Sequence, residues 1–225
     1  MTSLAAIPAF GALGAAALDA LGADSRAARY PAGTVVRPDG AVVLLLAGTM
    51  VVDVTAASGA RVWPARWEGP VIVDKASVLG GAVPPAELLA TTACRVRLLP
   101  RSRFLRLLDE EPAVRRHIIA RLAGEALDQR HRVAQAATAP ALVRVAAWLD
   151  AAVTWRGSQE ELAHLLGLSR VTVNRALARL AAAGAVRRER YGIVVVDRDR
   201  LRGFGDRGLP QELGHQGGDL GGIVQ

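Results

Sequence analysis

Between Ser169 and Arg190 the chain carries six arginines and a single acid, Glu189. Guanidinium groups at this density suit a polyanion, because each can form paired hydrogen bonds to a phosphate or to a guanine edge. Their spacing matters more than their number. In a helix of about 100° per residue, Val173, Ala176, Leu177 and Leu180 fall on one apolar stripe. Val171, Asn174, Arg175 and Ala178 then face the other way, flanked by Arg170, Thr172 and Arg179. Small and hydrogen-bonding residues near the start of an exposed helix fit a major groove, where base edges are read at close range.

A second helix is needed to aim this one, and "GSQEELAHLLGLSR", residues 157–170, supplies it. Ser158 followed by Glu161 is a capping box, which starts a helix by satisfying its free amides. Leu162, Leu165 and Leu166 give that helix an apolar face, and Gly167 ends it, since glycine tolerates a left-handed backbone. Ser169 then caps the reading helix, and Gly184 marks its end. "AVRRERYGIVVVD", residues 185–197, reads as two strands around a basic turn. It makes a wing whose Arg187, Arg188 and Arg190 can rest on phosphates. The candidate DNA-facing set is therefore Ser158, Ser169, Arg170, Val171, Thr172, Asn174, Arg175, Arg179, Arg187, Arg188 and Arg190.

Upstream, residues 109–137 have helical periodicity, with Pro112 near the start and Val114, Ile118, Leu122 and Ala126 at intervals of four. Such a helix, roughly 38 Å long, is either a core helix against a sheet or a spine pairing with its copy in a dimer. A further helix is expected over 141–152. From Tyr30 to about Pro100 the pattern is of short strands: residues 42–46, 50–55, 61–63, 71–73 and 95–99, with Ala47-Gly48-Thr49 as a tight connection. Such spacing argues for a sandwich or barrel. "GGAVPP", residues 80–85, leaves no room for a strand. The start, residues 1–23, reads as an amphipathic helix and not as a signal peptide, because Pro8 and Asp19 interrupt it and no basic region precedes it.

The 225 residues carry a net charge of +7, which favours a polyanionic partner. Lys75 is the only lysine; this preference for arginine reflects a GC-rich coding bias and carries little functional weight. One cysteine, Cys94, excludes an internal disulfide and a thiolate-held iron–sulfur cluster. It is expected to be a buried core thiol. His117, His131 and His164 are expected to be solvated or packed, and Trp63 and Trp67 to pack in the core. No apolar run reaches the ~20 residues of a membrane span, so a cytoplasmic protein without a membrane partner is expected. An enzyme of the cupin kind, built on a similar roll, needs clustered histidine and carboxylate ligands. No histidine lies between Tyr30 and Pro100, so neither catalytic residues nor a metal site are expected.

"SQEELAHLLGLSRVTVNRALARLAAAGAV", with the wing strand "GIVVVD" and Leu201, resembles the winged helix-turn-helix of the Crp/Fnr family of bacterial transcription regulators. "YPAGTVVRPDG" and "VLLLAGTMVV" resemble the opening strands of that family's cyclic-nucleotide-binding-type β-roll. "LLATTACRVRLLPRSRFLRLL" resembles its last strands and the helix beyond. The resemblance implies an α+β fold. It divides the chain into an N-terminal roll (residues 1–108), a dimerisation helix (109–137), a winged helix-turn-helix (138–201) and a disordered tail (202–225). It implies a homodimer bound to double-stranded DNA at a pseudo-palindrome, its half-sites ~34 Å apart, and RNA polymerase as a further partner. Ser169, Arg170, Thr172 and Arg175 match the family's DNA-contacting positions. A glutamate that reads cytosine in several members is replaced here by Val171, which can only touch a thymine methyl.

The sensor departs further. "VIVDKASVLGG" has no Gly-Glu pair, and Pro84-Pro85 stand where cyclic-nucleotide binders place an Arg-Ser segment. Proline offers neither an amide donor nor a cation to a phosphate, and Lys75 is the one substitute at hand. No cyclic AMP and no cofactor are expected; the effector is unknown. The competing reading is a degenerate sensor that serves as a protein–protein module, with non-specific DNA binding that persists on scrambled sequence and falls steeply with salt.

Overall fold

A computed structural model describes residues 3–55, 59, 61–80, 87–152, 154–189 and 192–206. These form two compact units, residues 1–135 with 159–170, and residues 136–158 with 171 onward.

The first unit opens not on one helix but on two short 3-10 turns, Leu4–Ala6 and Pro8–Phe10, before α1 (Ala15–Asp24). Pro8 cannot continue a preceding turn, while Leu4, Ile7, Phe10 and Leu21 are nevertheless buried. Eight strands follow among the described residues: β1 (Arg26–Tyr30), β2 (Val35–Val36), β3 (Ala41–Ala47), β4 (Thr49–Thr55), β5 (Arg61–Glu68), β6 (Val71–Ile72), β7 (Glu87–Ala90) and β8 (Cys94–Pro100). They make two four-stranded antiparallel sheets, ordered β1-β8-β3-β6 and β2-β7-β4-β5. This is the expected roll, with three strands, β1, β2 and β7, beyond those expected from the sequence. Residues 81–86, including Pro84 and Pro85, lie outside the described residues.

β3 shows why the roll carries a continuous apolar run. Side chains alternate across a sheet, and both faces of β3 are covered. Val43 and Leu45 join Met50, Val73, Cys94 and Val96 in one core between the sheets. Val42 and Leu44 join Phe10, Leu21, Leu99 and Phe104 in a second core, beneath helices. Those helices include α3 (Arg101–Glu110) and α4 (Pro112–Thr138). Asp109 and Glu110, expected to open the long helix, instead end α3. Pro112, which fits a first helical turn but not an interior, sits at the restart. α2 (Lys75–Gly80) lies between β6 and β7.

α4 takes the first role foreseen for it, a core helix against the sheet, and carries apolar residues on an exposed side as well. Val114 and Ile118 are buried in the second core with Leu122 packed against it, whereas Ala126 is exposed. About a third of a turn away, Ile119, Leu127 and Val133 are 60%, 53% and 67% exposed. With the exposed Ala123 and Ala126, they form a second apolar stripe along the same helix.

The second unit comprises α5 (Ala141–Ala152), β9 (Thr154–Arg156), α7 (Arg170–Ala182, apart from its first residue), β10 (Val186–Glu189), β11 (Gly192–Val195) and α8 (Arg198–Asp206). α8 packs on α5. It shows that ordered structure continues to Asp206, past the Leu201 boundary expected from the sequence; residues 207–225 lie outside the described residues. Asp197 caps α8, its Oδ1 accepting the Arg200 amide at 3.0 Å. Asp150 of α5 accepts from Arg198 at 2.8 Å and from Arg202 at 3.1 Å. The hydrogen bond from Arg198 holds this carboxyl below its usual value, and Arg202 adds to the effect. A carboxylate with a lowered folded-state pKa stabilises the fold at pH above its ordinary value of ~4, and that contribution is lost as acid carries it through the lowered value. Asp150→Asn is expected to cost about 1 kcal/mol near neutral pH, and the difference from the unaltered protein should shrink as acid carries the carboxyl through its lowered pKa. A constant difference across pH would contradict the assignment.

Candidate nucleic-acid interface

α6 (Gln159–Leu166) and α7 are separated by three residues. The stop is a complete Schellman closure. The Gly167 amide donates to His164 O at 3.3 Å and the Leu168 amide to Ala163 O at 3.0 Å. Gly167 sits at φ 59°, where an L side chain is strained. α7 ends the same way: the Gly184 amide donates to Ala181 O at 2.9 Å and the Ala185 amide to Leu180 O at 3.0 Å. Both glycines were legible as stops; the geometry adds that each stop satisfies two otherwise orphaned carbonyls.

The predicted faces of α7 are realised. Val173, Ala176, Leu177 and Leu180 are buried. Arg170, Val171, Asn174, Arg175, Ala178 and Arg179 are exposed, and Thr172 is half-buried. Ser169 is exposed at the head of α7, and Ser158 precedes the first residue of α6, whose opening turn carries Glu160 and Glu161. Within α6, Leu162 and Ala163 are buried. His164 lies edge-on to Trp63 of β5, ring centroids 5.0 Å apart, a packed histidine. Among the described residues no group of three or more His, Cys, Asp or Glu could hold a metal.

The wing is a three-stranded sheet ordered β10-β11-β9. β10 pairs with β11 with Arg187 opposite Val194 and Arg188 opposite Ile193. β9 was not foreseen: at three residues it is too short to show periodicity. It is held by Trp155, buried and stacked edge-on to Trp148 at 5.1 Å. Arg187 and Arg188 are exposed on β10; Arg190 lies outside the described residues.

Charge accounting separates two sets of arginines. Arg187 pairs with Glu189 at 3.1 Å, and Arg198, Arg200 and Arg202 all have acidic partners. Arg170, Arg175, Arg179 and Arg188 form no ion pair with a described residue. The reading helix thus presents guanidinium groups available to an external anion.

In the roll a cavity of about 640 Å³ is lined by Val36, Val43, Val52, Val73, Val78 and Leu88, among others. That volume suits a small ligand. Its two basic lining residues, Arg37 and Arg101, are exposed, and Arg101 Nε donates to Val78 O at 2.8 Å. Lys75 does not serve the cavity. Its Nζ is buried, donating to Ile72 O at 3.2 Å and lying 3.0 Å from Glu125 Oε1 of α4. Cys94 is a buried thiol, its Sγ donating to Thr49 O at 3.3 Å and Thr92 O at 3.2 Å, and burial pushes its pKa up. Trp63 is buried, with Nε1 donating to Asp53 at 3.0 Å, and Trp67 packs against the core between the sheets.

Residues 138–204 match the Crp-like helix-turn-helix domain. No curated protein matches the sequence. Solved structures match the fold. The c-di-GMP-responsive global regulator CLP of Xanthomonas campestris is 20% identical, with 81% of this chain and 99% of that one covered at a TM-score of 0.68. FixK2 of Bradyrhizobium japonicum is 21% identical over 80% and 96% of the two chains, at 0.68. The catabolite activator protein of Thermus thermophilus is 23% identical over 89% and 99%, at 0.51.

Proposed function

We propose that this DNA-binding regulator of the Crp/Fnr type acts as a cytoplasmic homodimer on a pseudo-palindromic operator, under a sensor roll that takes no cyclic AMP. The observation that carries the reading is the α7 face: a buried apolar stripe behind, and in front exposed Arg170, Arg175 and Arg179, which have no acidic partner among the described residues.

Each part has a physical role. Arg175 and Asn174, on the first turns of α7, reach base edges, while Val171 admits a thymine methyl where a carboxylate would select cytosine. Arg187, Arg188 and Arg190 of the wing neutralise phosphates and set register. Ser158, Ser169 and Thr172 flank the backbone contacts at the two helix starts. The bare stripe of α4 pairs with its copy, so that two reading helices meet two half-sites. The roll cavity holds the effector, whose chemistry is not that of a cyclic phosphate: its lining valines bind apolar surface, and neither Arg37 nor Arg101 is a buried cation able to hold a phosphate.

A genome-wide binding experiment followed by footprinting at the best site tests this, and the expected footprint is two-fold symmetric. Arg175→Ala should cost on the order of 1–3 kcal/mol of operator affinity and relax preference at one base pair per half-site. An unchanged affinity would refute the docking. Calorimetric titration with cyclic AMP is expected to show no heat of specific binding. Binding that is equal on scrambled DNA would instead favour a non-specific role.

A further inference from the structure

Lys75 is the chain's only lysine and is 3% exposed. A buried ammonium is retained only where its partners are well placed. Here those partners belong to two different elements: the Ile72 carbonyl at the end of β6, and Glu125 halfway along α4. Glu125 is itself 3.9 Å from Arg121 one turn earlier.

The residues beside Lys75 form a wall of the roll cavity. Val73, Asp74, Ser77 and Val78 line it, while Leu79, one turn after Lys75, packs into the core beneath the helices. α2 therefore has a cavity side and a helix side. Its entry is fixed by Asp74, which adopts φ 45°, a conformation unusual for a residue other than glycine. Two polar contacts anchor the segment. Arg101 at the start of α3 donates to Val78 O, and Lys75 reaches Glu125. Among the described residues, the one ion pair of this segment leads to the long helix.

We propose that Lys75 is a positioning residue that couples occupancy of the roll cavity to α4 through its ion pair with Glu125. The inference rests on the reading of that cavity as the effector site. With Lys75 buried and Glu125 only partly so, the pair transmits displacement because separating it leaves the buried ammonium uncompensated. An apolar contact at the same place would slide. Coupling then lives in one bistable contact and not in the roll as a whole.

The test needs no knowledge of the effector, because a side chain can fill the cavity from β4. In the full-length protein, Val52→Trp is compared with and without Lys75→Met, reading operator affinity for each of the four combinations. Filling the cavity is expected to change affinity at least about fivefold with Lys75 present, and less than about twofold in the Lys75→Met background. Glu125→Gln, a milder change at a half-exposed position, should abolish the response in the same way and serves if Lys75→Met does not fold. A merely structural lysine would lower stability in every background and leave the Val52→Trp ratio unchanged. That unchanged ratio overturns the coupling role while leaving the cavity as a sensor. No response to Val52→Trp even with Lys75 intact overturns the effector reading of the cavity, and the coupling with it.

Discussion

Ile119→Asp combined with Leu127→Asp is expected to give a folded monomer whose operator affinity is lower by about 10²–10⁴-fold. The two residues stand on α4, more than half exposed, away from the buried Val114 and Ile118. Their replacement therefore leaves the core intact. In a dimer each would bury an aliphatic side chain worth about 1.5–3 kcal/mol, and a carboxylate at that seam has no partner to offset its desolvation. The large loss on DNA has a separate origin. Once one head is docked, the second binds at the high effective concentration set by the linkage, and a monomer forfeits that advantage. Sedimentation equilibrium gives the mass and footprinting gives the protected length. A variant that stays dimeric, or that protects both half-sites with unchanged affinity, would sink the role given to this stripe.

Gly48→Val is expected to prevent the roll from folding, or to destabilise it by about 3 kcal/mol or more. The residue joins β3 to β4 at φ 98°, where side chains are strained. A Cβ placed there would lie 2.5 Å from Ala93 O and 2.7 Å from Cys94 Sγ. The first of these is backbone, so the overlap cannot be relieved by a rotamer change. Denaturant titration against Gly22→Ala, a helical glycine whose Cβ meets nothing within 4 Å, separates this effect from the general cost of substituting glycine. Equal midpoints for the two variants would contradict it.

What could be read from the residues, and what could not, follows from the range of the interactions involved. α5, α6, α7 and the wing strands were visible because their signals are local: apolar period, capping residues and terminal glycines. β5 was foreseen only as far as Trp63, since Pro64 usually ends a strand. The strand continues because it is an edge, paired only with β4, and because the register slips between Val52 and Val54 at that point. An edge strand at a bulge has no ladder bond for proline to remove. β1, "RAARY", lacks alternation of apolar residues; its place is fixed by pairing with β8 across almost seventy residues of sequence. α8 escaped for the same reason, since two of its three arginines, Arg198 and Arg202, find Asp150 some fifty residues away. The outward face of α7 was legible in full, whereas the absence of acidic partners for Arg170, Arg175 and Arg179 among the described residues emerges only from the folded arrangement.

One lysine among 28 basic residues has a consequence for how the protein is controlled. Acylation of ε-amines is a common way to erase positive charge, and none of the groups proposed to face the nucleic acid is an ε-amine. The single candidate is 3% exposed and out of an acyl donor's reach in the folded protein. Guanidinium groups also keep their charge at every physiological pH. If the surface binds a polyanion as proposed, its affinity does not respond to acyl-donor supply or to mild acidification.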